Sequence, residues 1–141
     1  MESAVMPALL DTGFLLAVID ADDNFHAACA AALESETNPL LPDVVLPELA
    51  YLILRELGYP TLTTFLRSVA VGELVLAQSI PQDLARAADI LEKYADNRVD
   101  FVDCAIVAMA ERLNLTKVLT VDRRHFTVFR PNHCEYFEIQ P

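Results

Sequence analysis

The chain is 141 residues long, carries a formal net charge of −11 and is 54% apolar. That length accommodates one domain with a real core and falls short of two ordinary ones, and the apolar content excludes a disordered chain. So strong an acidic balance argues against a generic nucleic-acid binder, whose affinity comes largely from neutralising phosphates.

The charge is uneven. Residues 1–111 hold five Lys/Arg against eighteen Asp/Glu, and residues 112–141 hold five against three. The basic groups of the second segment are Arg112, Lys117, Arg123, Arg124 and Arg130, with His125 and His133 beside them. A role on nucleic acid therefore needs this basic end, a bound metal or a partner chain. With only Gly13, Gly58 and Gly72, no Gly-rich phosphate loop is available. Pro47 and Glu48 interrupt the richest apolar run, so nothing approaches the roughly 18 residues a membrane helix needs. Met1-Glu2-Ser3-Ala4 places no basic residue ahead of an apolar run, unlike a secretory signal. Cys29, Cys104 and Cys134 are odd in number and lack paired ligand spacing. The expectation is a soluble, cytoplasmic protein with reduced cysteines and no membrane contact.

In chain order, the pattern predicts a strand at 5–10 and a helical turn at 13–19. An Ala-rich helix at 23–35 follows, with Asp23 or Asn24 able to cap it. An apolar stretch at 40–46 leads into a helix at 47–57, opened by Pro47 and closed before Gly58. Pro60 opens a helix at 60–71, and 73–77 is strand-like. Pro81 opens a helix at 81–95, Asp100 opens one at 101–113 that Asn114 ends, and strands follow at 117–121 and 136–139. Strands alternating with helices imply parallel crossovers and an α/β sandwich. Helix predominates, so the sheet is small, and a central first strand would set Asp11 and Asp122 side by side.

Those two acids close short apolar strands, at the sheet edge where ligands bind in parallel α/β folds. Glu48 and the pair Asp100/Asp103 stand at the starts of apolar helices that could aim at the same edge. Each has a plain structural role as well. Asp11 and Asp100 suit helix caps, Glu48 suits a first helical turn, and Asp122 suits a turn or surface ion pair. As a set they matter more, because several carboxylates within a few ångströms cannot all stay ionised without a cation. Thr12 and Thr120 could orient carboxylates or contact phosphate, and Arg123, Arg124 and Arg130 are candidates for backbone contact with nucleic acid. An aspartyl-phosphate phosphotransfer domain also places Asp after a first strand. Its phosphatase form wants a second Asp where Gly13 stands, and its receiver form wants a well-placed late lysine, where the chain offers only Lys93 and Lys117.

Leu9-Leu10-Asp11-Thr12-Gly13, Leu46-Pro47-Glu48-Leu49-Ala50-Tyr51, Asp100-Phe101-Val102-Asp103-Cys104-Ala105-Ile106-Val107-Ala108 and Leu119-Thr120-Val121-Asp122-Arg123-Arg124-His125-Phe126 resemble, in order, the four acidic motifs of PIN-domain ribonucleases. The likeness is nearest to the VapC toxins of bacterial toxin–antitoxin pairs, and His26 also fits that group. The resemblance implies a PIN-like three-layer sandwich, a small, mainly parallel sheet flanked by helices, with residues 1–141 as one domain. It implies a Mg²⁺- or Mn²⁺-dependent endoribonuclease. Asp11 and Asp103 would be the principal metal ligands, Glu48 and Asp122 would complete the acidic cluster directly or through water, and Asp100 would be a fifth acid or a cap. Thr12, Thr120, Arg123 and Arg124 would meet the RNA. It also implies a small antitoxin partner and a homodimer, for which Tyr51, Leu52, Tyr59, Leu62 and Phe65 are candidate apolar contacts. A catalytically silent PIN-like binding module is the alternative, and retention of all four acids argues against it.

Overall fold

The computed structural model describes residues 6–141; the first three positions of the sequence motif Met1-Glu2-Ser3-Ala4, its fourth, and Val5 at the head of the expected first strand lie outside them. The elements run β1 (Ala8–Leu10), α1 (Thr12–Ile19), α2 (His26–Glu34), β2 (Leu40–Pro42), α3 (Val45–Leu57), α4 (Tyr59–Ala70), β3 (Val75–Ala77), α5 (Pro81–Lys93), a 3-10 turn (Ala95–Asn97), α6 (Phe101–Leu113), β4 (Lys117–Leu119), α7 (Arg123–Val128) and β5 (Glu138–Gln140). Among the described residues, five strands form one sheet in the order β3-β2-β1-β4-β5, and every pairing there is parallel. The expected α/β sandwich with a small parallel sheet is what forms.

Topology places the helices. From β1 the chain steps outward through β2 to β3, then returns across the sheet to β4 and β5. Parallel crossovers are right-handed, so steps in opposite directions put their helices on opposite faces. Accordingly α1 packs on α2 and α3, and α3 on α4, while α5 packs on α6. The strand order reverses at β1 and β4, and there the crevice outside the carboxyl ends of the strands is the ligand position of this architecture. All three residues of β1 are buried, as expected for a central parallel strand covered on both faces. The core includes Leu9, Phe14, Leu41, Leu49, Ile53, Ile106 and Met109, and α6 is buried continuously from Asp103 to Ala110.

Several boundaries differ from expectation for local reasons. Pro7 has no N–H for a ladder, and β1 starts after it. Asp20 and Asp23 accept from the backbone of Asp22 (3.0 Å) and Phe25 (2.8 Å), turns that delay α2 to His26. β2 stops at Pro42 because Asp43 leaves the strand: its carboxylate takes the Ser79 backbone N–H (3.0 Å) and hydroxyl (2.7 Å). That frees α3 to begin at Val45, two residues ahead of Pro47. The expected helix at 81–95 ends at Lys93 in a 3-10 turn. The strand expected at 117–121 ends at Leu119, and the last strand is shifted to 138–140. Residues 123–128, where the pattern predicts no element, form the helix α7. Phe126 and Phe129 are fully buried and meet edge-on at 5.6 Å, with Tyr94 and Phe137 completing the cluster. The cysteines are all free, two of them buried, and among the described residues no helix is long and apolar enough to cross a membrane.

Two polar features support the packing. Arg112 is not a free cation of the basic end: it donates to both carboxylate oxygens of buried Asp83 at 2.9 to 3.1 Å and to the Gln78 carbonyl at 2.9 Å. Asp83 in turn accepts the Ile80 N–H at 3.0 Å, the start of α5. Arg112→Ala, which strands that buried carboxylate, is expected to cost about 3 kcal/mol, the lower end for breaking one side of a buried pair, read by urea unfolding. Gly58 ends α3 and starts α4 with φ 89 and ψ 178, a region open essentially to glycine alone. Gly58→Ala is expected to lower stability by about 1–3 kcal/mol, with no change in the far-ultraviolet dichroism of the folded protein.

Candidate active site

The edge between β1 and β4 is fastened by one hydroxyl. Asp11 continues the ladder, donating its N–H to the Leu119 carbonyl at 3.0 Å. Its carboxylate caps α1, accepting from Thr12 N at 2.8 Å through Oδ1, and accepts from Thr120 Oγ1 at 2.7 Å through Oδ2. Thr120 Oγ1 also accepts the N–H of Asp122 at 2.9 Å. The two strand ends therefore hold their acids in fixed relation. Gly13 belongs to the same junction, since a Cβ there would stand 3.1 Å from Val121 Cγ2.

Two further helix starts complete the cluster. Asp100 caps α6 by accepting from Asp103 N at 2.8 Å, which brings buried Asp103 onto the inner side of the first turn. Asp122 caps α7 by accepting from His125 N at 3.2 Å. The His125 ring turns back so that Nδ1 lies 2.7 Å from Asp103 Oδ2 and 3.0 Å from Asp122 Oδ2. Asp103, Asp122 and His125 each present a ligand atom within 4.8 Å of the others.

Burial and crowding make this an expensive place for negative charge. Asp11 is pushed up to about 6, first by burial and further by the charges of Asp100 and Asp122, against the hydrogen bonds from Thr120 and Thr12. Asp103 is pushed up to about 7 by burial, then by Asp100 and Asp11, with His125 acting in the opposite direction. The Cys104 thiol next to it rises to about 12, mainly through burial. Thr12 Oγ1 and His125 Nε2 are buried without a hydrogen-bond partner among the described residues. Hard carboxylate donors that repel one another, beside an orphaned hydroxyl, fit a divalent cation with its waters. Among the described residues, Asp103, Asp122 and His125 are the groups whose ligand atoms lie close enough together to share one ion, and Asp11 lies outside that set.

Of the residues the sequence singled out, Asp11, Asp100, Asp103, Asp122, Thr12 and Thr120 come together at this edge. Glu48 stands in the first turn of α3, exposed, and is not among the charges acting on Asp11 or Asp103. Arg123 donates to the backbone oxygen of Pro141, and Arg124 is exposed on α7. Arg130 donates to the carbonyls of Thr127 and Phe129. His26 ties α2 to α1 by a 2.8 Å bond from Nδ1 to the Ala17 carbonyl. His125 is the residue that sequence reasoning missed, grouped there with the basic end. Its spacing of three from Asp122, which places both on one side of a helical turn, was the signal.

The PIN domain family model matches residues 8–130. Ribonuclease VapC26 of Mycobacterium tuberculosis (strain ATCC 25618 / H37Rv) is 36% identical over 134 residues, spanning 94% of this chain and 99% of that protein. Among solved structures, M. tuberculosis VapC20, described as a sarcin-ricin loop cleaving toxin, superposes with a TM-score of 0.79 at 16% identity, over 95% of this chain and 99% of its own. VapBC2 from Rickettsia felis, bound to a DNA fragment from its promoter, gives 0.70 at 14% identity, over 96% and 100%. Motif order, sheet topology, the family match and a full-length relative agree, and the chain belongs to the PIN domain family.

Proposed function

We propose that this chain is a divalent-cation-dependent endoribonuclease, the toxin of a VapBC-type toxin–antitoxin pair, acting in the cytoplasm as a single PIN-like domain. The observation that carries the reading is the convergence of Asp11, Asp100, Asp103 and Asp122 on one sheet edge, with two of them buried against their own repulsion. A related ribonuclease at 36% identity over almost the whole chain supports the reaction class.

In this reading Asp11 and Asp103 are the principal ligands of Mg²⁺ or Mn²⁺, Asp122 completes the set, and Glu48 reaches it through water. When bound, the ion supplies Lewis-acid chemistry, activating water for attack on a phosphodiester and offsetting the charge that develops. Thr120 holds Asp11 in one orientation while receiving the Asp122 backbone, so the ligands are aligned before substrate arrives. Asp100 fixes Asp103 by capping its helix. Thr12, whose hydroxyl is buried and without a partner among the described residues, and Arg124 would meet the RNA, whereas Arg123 would have to leave Pro141 to do so.

The antitoxin and a second copy of the chain are the proposed partners, and the structures similar in fold include a toxin–antitoxin complex and VapBC proteins bound to DNA. Tyr51 and Tyr59 are exposed and available for such contacts. Phe65 is buried and Leu52 and Leu62 are partly so, which assigns these three in part to the core.

Cleavage of total cellular RNA by antitoxin-free protein in Mg²⁺, Mn²⁺ or EDTA tests the activity. Discrete fragments are expected with either ion, absent in EDTA and absent in Asp11→Asn, which keeps a cap on α1, and in Asp103→Asn, which keeps the backbone N–H that donates to Asp100. Thr120→Val, which frees the Asp11 carboxylate, is expected to weaken metal affinity or activity by about 10–100-fold, the range for groups that orient a ligand. Folded protein that binds no divalent ion would count for the silent binding module instead.

The buried acids also set a pH dependence. An unfolded Asp titrates near 3.8, so between that pH and about 6 to 7 the folded chain keeps protons on Asp11 and Asp103 that the unfolded chain has released. Stability in EDTA is therefore expected to fall as pH rises through this window and to level off above it, with no such loss below the unfolded value. Saturating Mg²⁺ is expected to raise the melting temperature more at about pH 8 than at about pH 5, where protons compete for the ligands. An equal increment at both pH values would remove these carboxyls from the ligand set.

A further inference from the structure

The basic groups of this acidic chain are mostly engaged. Arg55, Arg86, Arg112 and Lys117 pair with carboxylates, and Arg123 and Arg130 donate to backbone oxygens. Arg98 and Arg124 have no such partner among the described residues, and both line one cavity of about 180 Å³, with Asp96, Asn97, Val128 and His125. The 3-10 turn Ala95–Asn97 forms one wall and α7 the other. Arg98 follows the turn in a left-handed conformation, φ 55, immediately before the segment that leads to Asp100.

His125 joins this cavity to the acidic cluster. It is only 8% exposed. One ring nitrogen, Nδ1, faces Asp103 and Asp122; the other, Nε2, is buried and unpartnered on a residue that lines the cavity. A buried polar atom without a partner costs about 1–3 kcal/mol, so the position favours a ligand that supplies one.

Resting on the ribonuclease reading above, we propose that this cavity holds the nucleotide next to the scissile bond, its phosphodiester against Arg98 and Arg124 and its ribose 2′-hydroxyl on His125 Nε2. Size favours backbone over base, because the cavity is well short of the roughly 300 Å³ at which pockets begin to enclose drug-sized ligands. Charge favours a phosphate, two guanidiniums outweighing the Asp96 carboxylate on the same wall. A 2′-hydroxyl both donates and accepts, so it satisfies Nε2 whether or not that nitrogen carries a proton, whereas a phosphate oxygen suits only the protonated ring. The cavity thus selects RNA over DNA at the position where the chain is cut.

Binding of a fluorescent single-stranded RNA and of the DNA of the same sequence, by anisotropy in the Asp11→Asn background with Mg²⁺ and across a salt series, tests this. The background protein is expected to bind RNA more tightly than DNA. Arg98→Gln and Arg124→Gln are each expected to weaken RNA binding several-fold and to reduce the slope of log affinity against log salt by about 0.7, the value for one phosphate contact on a single strand. Arg67→Gln, on α4, is the control and should match the background. Unchanged affinity and slope in both cavity variants, with RNA still bound by the background, would overturn the cavity assignment alone. Equal binding of RNA and DNA would remove the 2′-hydroxyl contact. Failure of both the background protein and the chain with Asp11 intact to bind or cleave RNA at low salt would take the ribonuclease reading with it.

Discussion

Like charges brought together out of water are the constraint around which this fold is arranged. Asp11 and Asp103 are both buried, each feels the other's neighbours, and both are displaced well above the ordinary carboxyl range. Nothing in the packing of a small parallel sheet requires that expense. What contains it is a set of fixed dipoles: the backbone N–H groups of Thr12, Asp103 and His125, each at a helix start, and the Thr120 hydroxyl between the strands. The sheet topology matters because it sets β1 beside β4 at the reversal of strand order, so that three helix starts and two strand ends meet at one place. The cluster is an outcome of where five elements, β1, β4, α1, α6 and α7, begin or end.

The far side of the site depends on apolar contacts. His125 adjoins Phe126, which is fully buried against Phe129 and Phe137, and Tyr94 closes the same cluster while its hydroxyl accepts the Arg130 N–H at 2.9 Å. Edge-on aromatic pairs each add about 0.5–1.5 kcal/mol beyond the area they bury. A six-residue helix is too short to hold itself in water. The aromatic cluster therefore holds α7 in place, and with it the imidazole between two carboxylates.

Much of this was legible in the chain because the signals were local. Asp100 before a mainly apolar run gave the start of α6, and Asn114 gave its end, where it adopts the left-handed conformation of a helix stop, φ 57. Asp11 and Asp122 could be paired because short apolar runs before them read as adjacent strands. Helix α7 was not legible, since Asp122-Arg123-Arg124-His125 is polar and the aromatic residues that bury it come from Tyr94 and Phe137, far away in sequence. The same holds for Arg112 with Asp83 and for Asp43 with Ser79, contacts across 29 and 36 residues that no spacing rule reaches. Glu48 shows the converse. Its place after a proline at a helix start looked like that of the other acids, yet the helix leaves it exposed and outside their mutual repulsion.

Three of the acids at the site are also helix caps: Asp11 for α1, Asp100 for α6 and Asp122 for α7. Asparagine caps a helix about as well as aspartate, and the codons of the two differ at a single base. The sequence therefore sits one mutational step from neighbours that keep the fold and the outer surfaces while losing charge at the centre. Neighbours of that kind are well-folded chains in which the repulsion within the cluster is relieved and its capacity for a cation is reduced.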